Sequence, residues 1–348
     1  MKLSVYLSSR LSLSWCSTLF ISLVAIPISA QEVNIYSARQ SFLIQPIMDD
    51  FTRQTGIVTN IVYERSSLVK RLIIEGSASA ADLVLTSDVA PLYQLAKMGL
   101  IEKVDSEILA SNIPVQFRDP QNLWFGLTSR ARIIYASKER VDPLEISQYE
   151  NLMAAKWRGR ICCRSAKHNY MLSLISSMIL ARGEQFTEQW LRGIKQNLAR
   201  KPQGNDRAQV KAISEGVCDI ALVNSYYFGK MLTNQRKPEQ IKWAQNVHLI
   251  FPNQDNRGSH MNISGIALTK NAPNKANAVS LMEYLSSERA QFIYAQQNHE
   301  FPVNNTTPYS PLLNKYIPKF KQDKVALVQI AAQHQQALAL IEKVRFDQ

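Results

Sequence analysis

The chain reads as a layered α/β fold with room for two packed lobes. Three observations carry that reading. Strand and helix patterns alternate from residue 33 onward, which implies a mostly parallel sheet with helices packed against it. Of 348 residues, 318 remain once a thirty-residue segment with leader-peptide features is removed, and that length suits two lobes. Beyond that leader, no apolar run approaches the length needed to cross a bilayer.

The leader comes first. Lys2 and Arg10 supply positive charge, residues 19–28 are apolar but short, and Ile28-Ser29-Ala30 offers small residues for cleavage after Ala30. Pro27 argues against an uncleaved anchor, and Trp15 stands where a lipoprotein site before Cys16 wants a small residue. A strand at 33–37 follows. Phe42, Ile44, Ile47, Met48 and Phe51 set a helix over 42–54, closed by Gly56. A strand at 57–63, a helix marked by Leu68, Leu72 and Ile73, a strand at 81–86 and a helix marked by Leu92, Leu95, Ala96 and Met98 complete a βαβαβα run. Consecutive strands at 125–128 and 133–135 lead toward a second lobe. Next come a strand at 160–163 and helices over 171–182, 186–199 and 208–215. A buried strand at 220–223 follows, then strands at 247–251 and 263–269, an amphipathic helix over 277–295 and a C-terminal helix over 325–344. No internal repeat or Pro/Gly/Ser-rich linker interrupts this order.

Charge and cysteines narrow the function classes. The net charge of +12 becomes +10 without the leader's two basic residues. A basic exported chain without a nucleic-acid motif suits an anionic ligand, or a ligand taken together with an anion; a basic surface kept for solubility is the plainer alternative. Cys162, Cys163 and Cys218 remain outside the leader. An oxidising compartment favours one disulfide and one thiol, and adjacent strand residues face opposite ways. Cys162–Cys218 is the expected pair. Three cysteines without CxxC spacing make a poor zinc site. HExxH, GxSxG and P-loop patterns are absent, and the Cys163/His168 spacing matches no known nucleophile pair, so no enzymatic role is expected.

The most informative stretch is Ile220 to Tyr227. Asn224 and Ser225 are turn and N-cap types, so Tyr226 and Tyr227 open a helix at the carboxyl end of a strand, where open α/β sheets bind ligands. Two phenols about 100° apart at a helix start can converge on one object. A hard, oxygen-rich site of this kind suits Fe³⁺, which can displace phenol protons and bind phenolate. From the residues alone, the pair reads first as aromatic core at a strand–helix corner.

The surrounding motifs change that reading. Asn34-Ile35-Tyr36-Ser37-Ala38-Arg39, Ala81-Asp82-Leu83-Val84-Leu85-Thr86 and Trp124-Phe125-Gly126-Leu127-Thr128 with Arg130-Ala131-Arg132 occur in order. They are followed by Trp157-Arg158-Gly159-Arg160, Arg200-Lys201-Pro202-Gln203-Gly204-Asn205-Asp206 and Asn224-Ser225-Tyr226-Tyr227. Phe251-Pro252-Asn253-Gln254 then precedes Gly258, His260, Asn262, Ser264 and Gly265. Together these resemble the periplasmic ferric-iron-binding proteins of ABC importers, in their transferrin-like, tyrosine-rich branch, from about residue 33 to 303.

The resemblance implies a type II two-lobed periplasmic binding protein fold, each lobe a layered mixed sheet with flanking helices. The first lobe would comprise residues 31–127 and 252–305, and the second 128–251 and 306–348, after a signal peptide at 1–30. It implies ferric iron held by Tyr226, Tyr227 and Tyr170, with carbonate or another anion beside it; Arg39 and Arg130 are the candidate anion contacts, because guanidinium suits bidentate oxyanions, with surface or structural arginines as the plainer reading. It supports the Cys162–Cys218 disulfide, and implies a monomeric periplasmic carrier delivering iron to an inner-membrane ABC permease. One departure matters: Gln40 and Ser41 stand where the family usually has histidine, tyrosine or both. That leaves three protein oxygens and up to three positions for water or an anion. It also opens an alternative, that the same fold binds an iron chelate or another anion. His168 is expected at a pocket rim or on the surface, His260 has no assigned metal role, Glu64 is read as a solvated glutamate with a first-lobe hard ligand as the alternative, Asp88 is a helix cap, and Gly204 takes a positive-φ turn.

Overall fold

The alternating strands and helices are laid down largely where the sequence patterns put them. The computed structural model describes residues 31–64 and 68–348 together with Met1; the expected leader otherwise lies outside the described residues. The order opens with β1 (Glu32–Ser37), α1 (Gln45–Thr55), β2 (Val58–Tyr63), α2 (Leu68–Glu75), β3 (Leu83–Thr86) and α3 (Val89–Lys97). After β4 (Ile101–Glu102) and α4 (Glu107–Asn112) comes the long β5 (Phe125–Ser137). The middle contains β6 (Ile161–Cys162), α5 (Asn169–Arg182), α6 (Glu184–Asn197), α7 (Asp206–Ser214), β7 (Ile220–Asn224), α8 (Tyr226–Leu232), α9 (Glu239–Gln245) and β8 (Val247–Ile250). The chain continues through β9 (Met261–Thr269), α10 (Lys275–Ser286), α11 (Glu288–Asn298), β10 (Phe301–Pro302), α12 (Pro311–Tyr316), α13 (Leu327–Ala332) and α14 (His334–Val344).

Two sheets share one strand. In the first, β1 lies between β2 and β3 with parallel pairing, and β9 then pairs antiparallel with β3 and β5. In the second, β5 pairs antiparallel with β7 and β8, and β6 lies parallel to β7. Residues 125–131 of β5 serve the first sheet and 132–137 the second. The two strands expected at 125–128 and 133–135 are therefore one thirteen-residue strand, buried throughout. Gly126 lets it pass, because a Cβ there would lie 2.8 Å from the Phe117 carbonyl oxygen.

Packing follows the sheets. One core gathers Val33, Ile35, Phe51, Leu83, Leu92, Trp124, Ile266 and Leu281. The second sheet is covered on both faces, and the period-two alternation of β5 shows it. Ile134 and Ala136 meet Leu174, Trp190 and Ile341 on one side, while Ile133 and Tyr135 meet Val223, Phe228 and Met231 on the other.

Two expected helices are each broken in two. The segment expected over 277–295 stops at Ser286, and the Ser287 hydroxyl caps α11 by accepting from the Ala290 N–H. The C-terminal helix expected over 325–344 breaks at Gln333: Leu327, Ile330 and Ala331 of α13 pack in the first core, whereas Ala337, Leu340 and Ile341 of α14 pack in the second. A straight helix could not serve both. The helix expected from Phe42 starts at Gln45, after a 3₁₀ turn at Ser41–Leu43 that leaves Phe42 exposed. Asp88 caps α3, and Gly204 takes φ +70°. Cys162 and Cys218 form a disulfide with Cα atoms 5.8 Å apart, and burial pushes the Cys163 thiol up to about 12. No described helix is long and apolar enough to cross a membrane.

Candidate metal-binding cleft

The tyrosine corner is fixed from three sides. At the end of β7 the Asn224 N–H donates to Asp206 Oδ2 at 3.0 Å, and the Ser225 N–H donates to the Ala131 carbonyl at 2.9 Å. The Tyr135 hydroxyl donates to the Asn224 and Ser225 carbonyls at 3.3 Å. Ser225 takes the N-cap position of α8 as expected, but with helical backbone angles and no side-chain capping bond, since its Oγ accepts from the Ala131 N–H. Tyr226 and Tyr227 are the first residues of α8, with ring centroids 4.3 Å apart. Tyr170 arrives from the first turn of α5. His168 caps that helix, its Nδ1 accepting from the Tyr170 N–H at 3.2 Å. The Tyr170 and Tyr226 hydroxyl oxygens lie 3.2 Å apart.

Burial raises the Tyr226 phenol well above its ordinary value, with Tyr170, Tyr227 and Glu300 adding to it. Burial, then Tyr170 and Asp206, raise Tyr227 likewise. Both are protonated at neutral pH, so a metal binding them as phenolates must displace protons.

Cations surround the phenols. The guanidinium carbons of Arg164, Arg130 and Arg132 stand 5.1, 5.5 and 5.9 Å from the centre of the Tyr170 ring. Arg207 lies 5.8 Å from that of Tyr227, and the Lys230 amine 5.8 Å from that of Tyr226. Asp206, fully buried, accepts from Arg132 at 2.5 Å and Arg164 at 2.9 Å. Burial alone would raise its carboxyl; the two arginines and the Asn224 N–H outweigh that and hold it low. Lys230 is pushed down to about 8 by burial and by Arg39.

All five expected site residues, Tyr170, Tyr226, Tyr227, Arg39 and Arg130, line one cavity of about 600 Å³. Arg39 is not free there. It donates to the Glu300 carboxylate at 2.9–3.2 Å and to Ser264, and Thr128 donates to the same carboxylate at 2.6 Å. Arg130 donates to the Ser87 carbonyl and, at 3.3 Å, to Ser264. Gln40 lines the cavity, and so does Tyr63 at the end of β2, which the sequence did not single out. His168 is among the lining residues, whereas Glu64 and Ser41 are not. His260 is buried, and burial with Arg257 pushes it down to about 3.

Glu300, Arg164, Arg207 and Lys230 were also missed. Lys230 had a usable signal, since it lies four residues after Tyr226 on one helix face. Glu300 sits between α11 and β10 with no periodicity to mark it. Among the described residues no cluster of three or more His, Cys, Asp or Glu could hold a metal ion; the hard donors lining this cleft are the phenols and the Glu300 carboxylate, which Arg39 occupies.

A fold with two cores joined by a shared strand, and a cleft lined from both, defines a ligand receptor. The chain belongs to the bacterial extracellular solute-binding protein family, matched over residues 33–297. It is 42% identical over 299 residues to iron uptake protein A1 of Synechocystis sp., covering 86% of this chain and 82% of that one. Its fold is that of the two-lobed periplasmic ferric-binding proteins. Apo ferric ion-binding protein A of Pasteurella haemolytica superposes with a TM-score of 0.87 at 46% identity, covering 92% of this chain and 99% of that one. A Trichodesmium protein solved with iron and citrate ligands gives 0.85 at 38% identity, covering 90% and 99%.

Proposed function

We propose that this chain is a periplasmic solute-binding protein, without catalytic activity, that captures ferric iron between its lobes and delivers it to an ABC permease. The convergence of three phenols in one cavity carries the reading: Tyr170 and Tyr226 touch at 3.2 Å, and Tyr227 stacks beside Tyr226. The named activities of its relatives support it. The lobes would be residues 31–127 with 252–305 and 128–251 with 306–348, except that α13 packs with the first core. The leader at 1–30 would direct export, and the chain would act as a monomer.

Charge favours an accompanying oxyanion. Fe³⁺ with three phenolates is neutral as a unit. The described residues lining the cavity include Arg39, Arg130, Arg164, Arg207 and Lys230 but one carboxylate, Glu300. The centre itself therefore leaves the surplus positive charge unanswered. Carbonate, citrate or a comparable anion in the open coordination positions would answer it, since guanidinium suits bidentate oxyanions. The same surplus favours uptake of a ferric chelate as the second reading. Ferric loading should produce a visible phenolate-to-iron charge-transfer band. Tyr226→Phe and Tyr227→Phe should each weaken it and lower iron affinity by more than tenfold. A colourless protein with no ferric affinity would end the iron reading; unaltered binding in both variants would end the site assignment alone.

A further inference from the structure

Ser173 lies three residues beyond Tyr170 on α5, so the two side chains share a face of that helix. Its buried hydroxyl stands between two groups from other elements, Asp88 Oδ2 at 3.2 Å and His334 Nε2 at 3.0 Å. A carboxylate only accepts, so Ser173 donates to Asp88, and its lone pairs accept from the Nε2–H of His334. Asp88 is the cap of α3. Its Oδ1 accepts from the Ala90 N–H at 3.0 Å, its Oδ2 also accepts from Asn262 at 2.9 Å, and the Arg130 guanidinium stands 4.0 Å away.

The three residues belong to different parts of the fold. Asp88 sits at the head of a helix packed in the first core. Ser173 lies on a helix whose Met171, Leu174 and Ile175 pack in the second. His334 is the first residue of α14, just past the break where the chain crosses from the first core to the second. Arg130, beside Asp88, is also 5.5 Å from the Tyr170 ring. Any rotation that parts α3 from α5 must break the Asp88–Ser173 bond.

We propose that Asp88, Ser173 and His334 form an interlobe latch that holds the Tyr170 end of α5 against the first lobe, so that breaking it opens the cleft over the phenol-bound metal. The proposal rests on the reading of Tyr170 as a ferric ligand. Ser173 and His334 are positioning residues: neither lines the tyrosine cavity, and both act through the placement of α5. A hydrogen bond to a charged acceptor contributes more than a neutral one, and its loss should be read as about a tenfold change.

In ferric-loaded protein, Ser173→Ala should speed iron transfer to excess EDTA about tenfold while leaving the charge-transfer maximum in place. Ser173→Thr, which keeps the hydroxyl, should restore the slow rate. Asp88→Asn keeps the helix cap, and its effect should not add to that of Ser173→Ala, because both break one link. In iron-free protein, small-angle scattering should give Ser173→Ala a larger radius of gyration than the unmodified chain. Transfer at the unmodified rate, additive effects, or equal radii would overturn the latch. If the unmodified chain takes up no ferric iron, the tyrosine reading fails by itself, and the scattering comparison still decides the latch.

Discussion

Replacing Glu300 by glutamine should move two properties in opposite directions. Glu300 and Arg39 are a buried pair, with side chains 3% and 5% exposed. Burial raises the Glu300 carboxyl, but Arg39 and Arg130 outweigh that and hold it below its ordinary value, so it is ionised at neutral pH. Glutamine keeps the shape and one acceptor, yet leaves the guanidinium without its counter-charge. Breaking such a pair typically costs about 3–5 kcal/mol, and the cavity beside Arg39 admits water, which favours the lower figure. With an unfolding entropy of about 2.1 cal/mol/K per residue, 3 kcal/mol across the residues from Gln31 to Gln348 lowers the melting temperature by about 4–5 °C. At the same time the cavity gains one positive charge. A charge about 8 Å from a bound anion, at an effective dielectric of about 20, contributes about 2 kcal/mol, or about thirtyfold in affinity. Thermal melting and calorimetric titration with citrate at pH 7, on iron-free protein, read the two effects separately. Lower stability with tighter citrate binding is expected. Citrate affinity that is unchanged or weaker would refute the claim that Glu300 neutralises Arg39 as seen from the cavity.

The Cys162–Cys218 disulfide closes a loop of 56 residues, for which chain entropy gives about 4 kcal/mol; the Cys162→Ala/Cys218→Ala double variant should unfold at correspondingly lower urea, and an unchanged midpoint would contradict this. Acid should weaken the fold in two windows. His260 and His299 are held near 3 and 4, in each case by burial first, so the unfolded chain takes up protons before the folded one; their contribution is complete above about pH 6.5 and is lost as pH falls toward about 4 for His299 and about 3 for His260. Asp206 and Glu300, both held low, contribute above the ordinary carboxyl range and lose that contribution only as pH falls below about 4. Unfolding free energies that stay flat between pH 7 and 4 would contradict the histidine part.

Local pattern carried the strands and the helix ends. Gly56, Gly204 and Asp88 behave as their residue types dictate, because a positive φ or a cap is decided within a few residues. Two of the misreadings share a cause. Gln333 carries no break signal of its own; the helix breaks there because α13 must pack on α3 and α14 on α5, and that demand comes from two cores far apart in sequence. Likewise β5 looked like two strands because its middle, Ser129-Arg130-Ala131-Arg132, reads as polar. The structure buries both arginines by giving them Asp206, Asn224, Ser87 and Ser264 as partners, and none of these lies within forty residues of them.

The same distinction divides the cleft. The position of Tyr226 and Tyr227 was legible because a strand end, a turn and a helix start sit in one short run, whereas their reading as ligands needed the surrounding motifs. Tyr170 and the arginines were legible only through motifs, and motifs do not report how a charge is paired. Arg39 and Arg130 were read as equivalent anion contacts, yet Arg39 lies against Glu300 and Arg130 donates to Ser87 and Ser264. Arg164 shares one carboxylate, Asp206, with Arg132, so those two guanidiniums together carry a surplus charge beside Tyr170. An oxyanion bound with the metal would therefore be drawn more to the Arg164 side than to Arg39, because attraction follows unneutralised charge. Gln40 lines the same cavity but adds no charge, so the cavity's cations other than Arg39 come from residues 130–230.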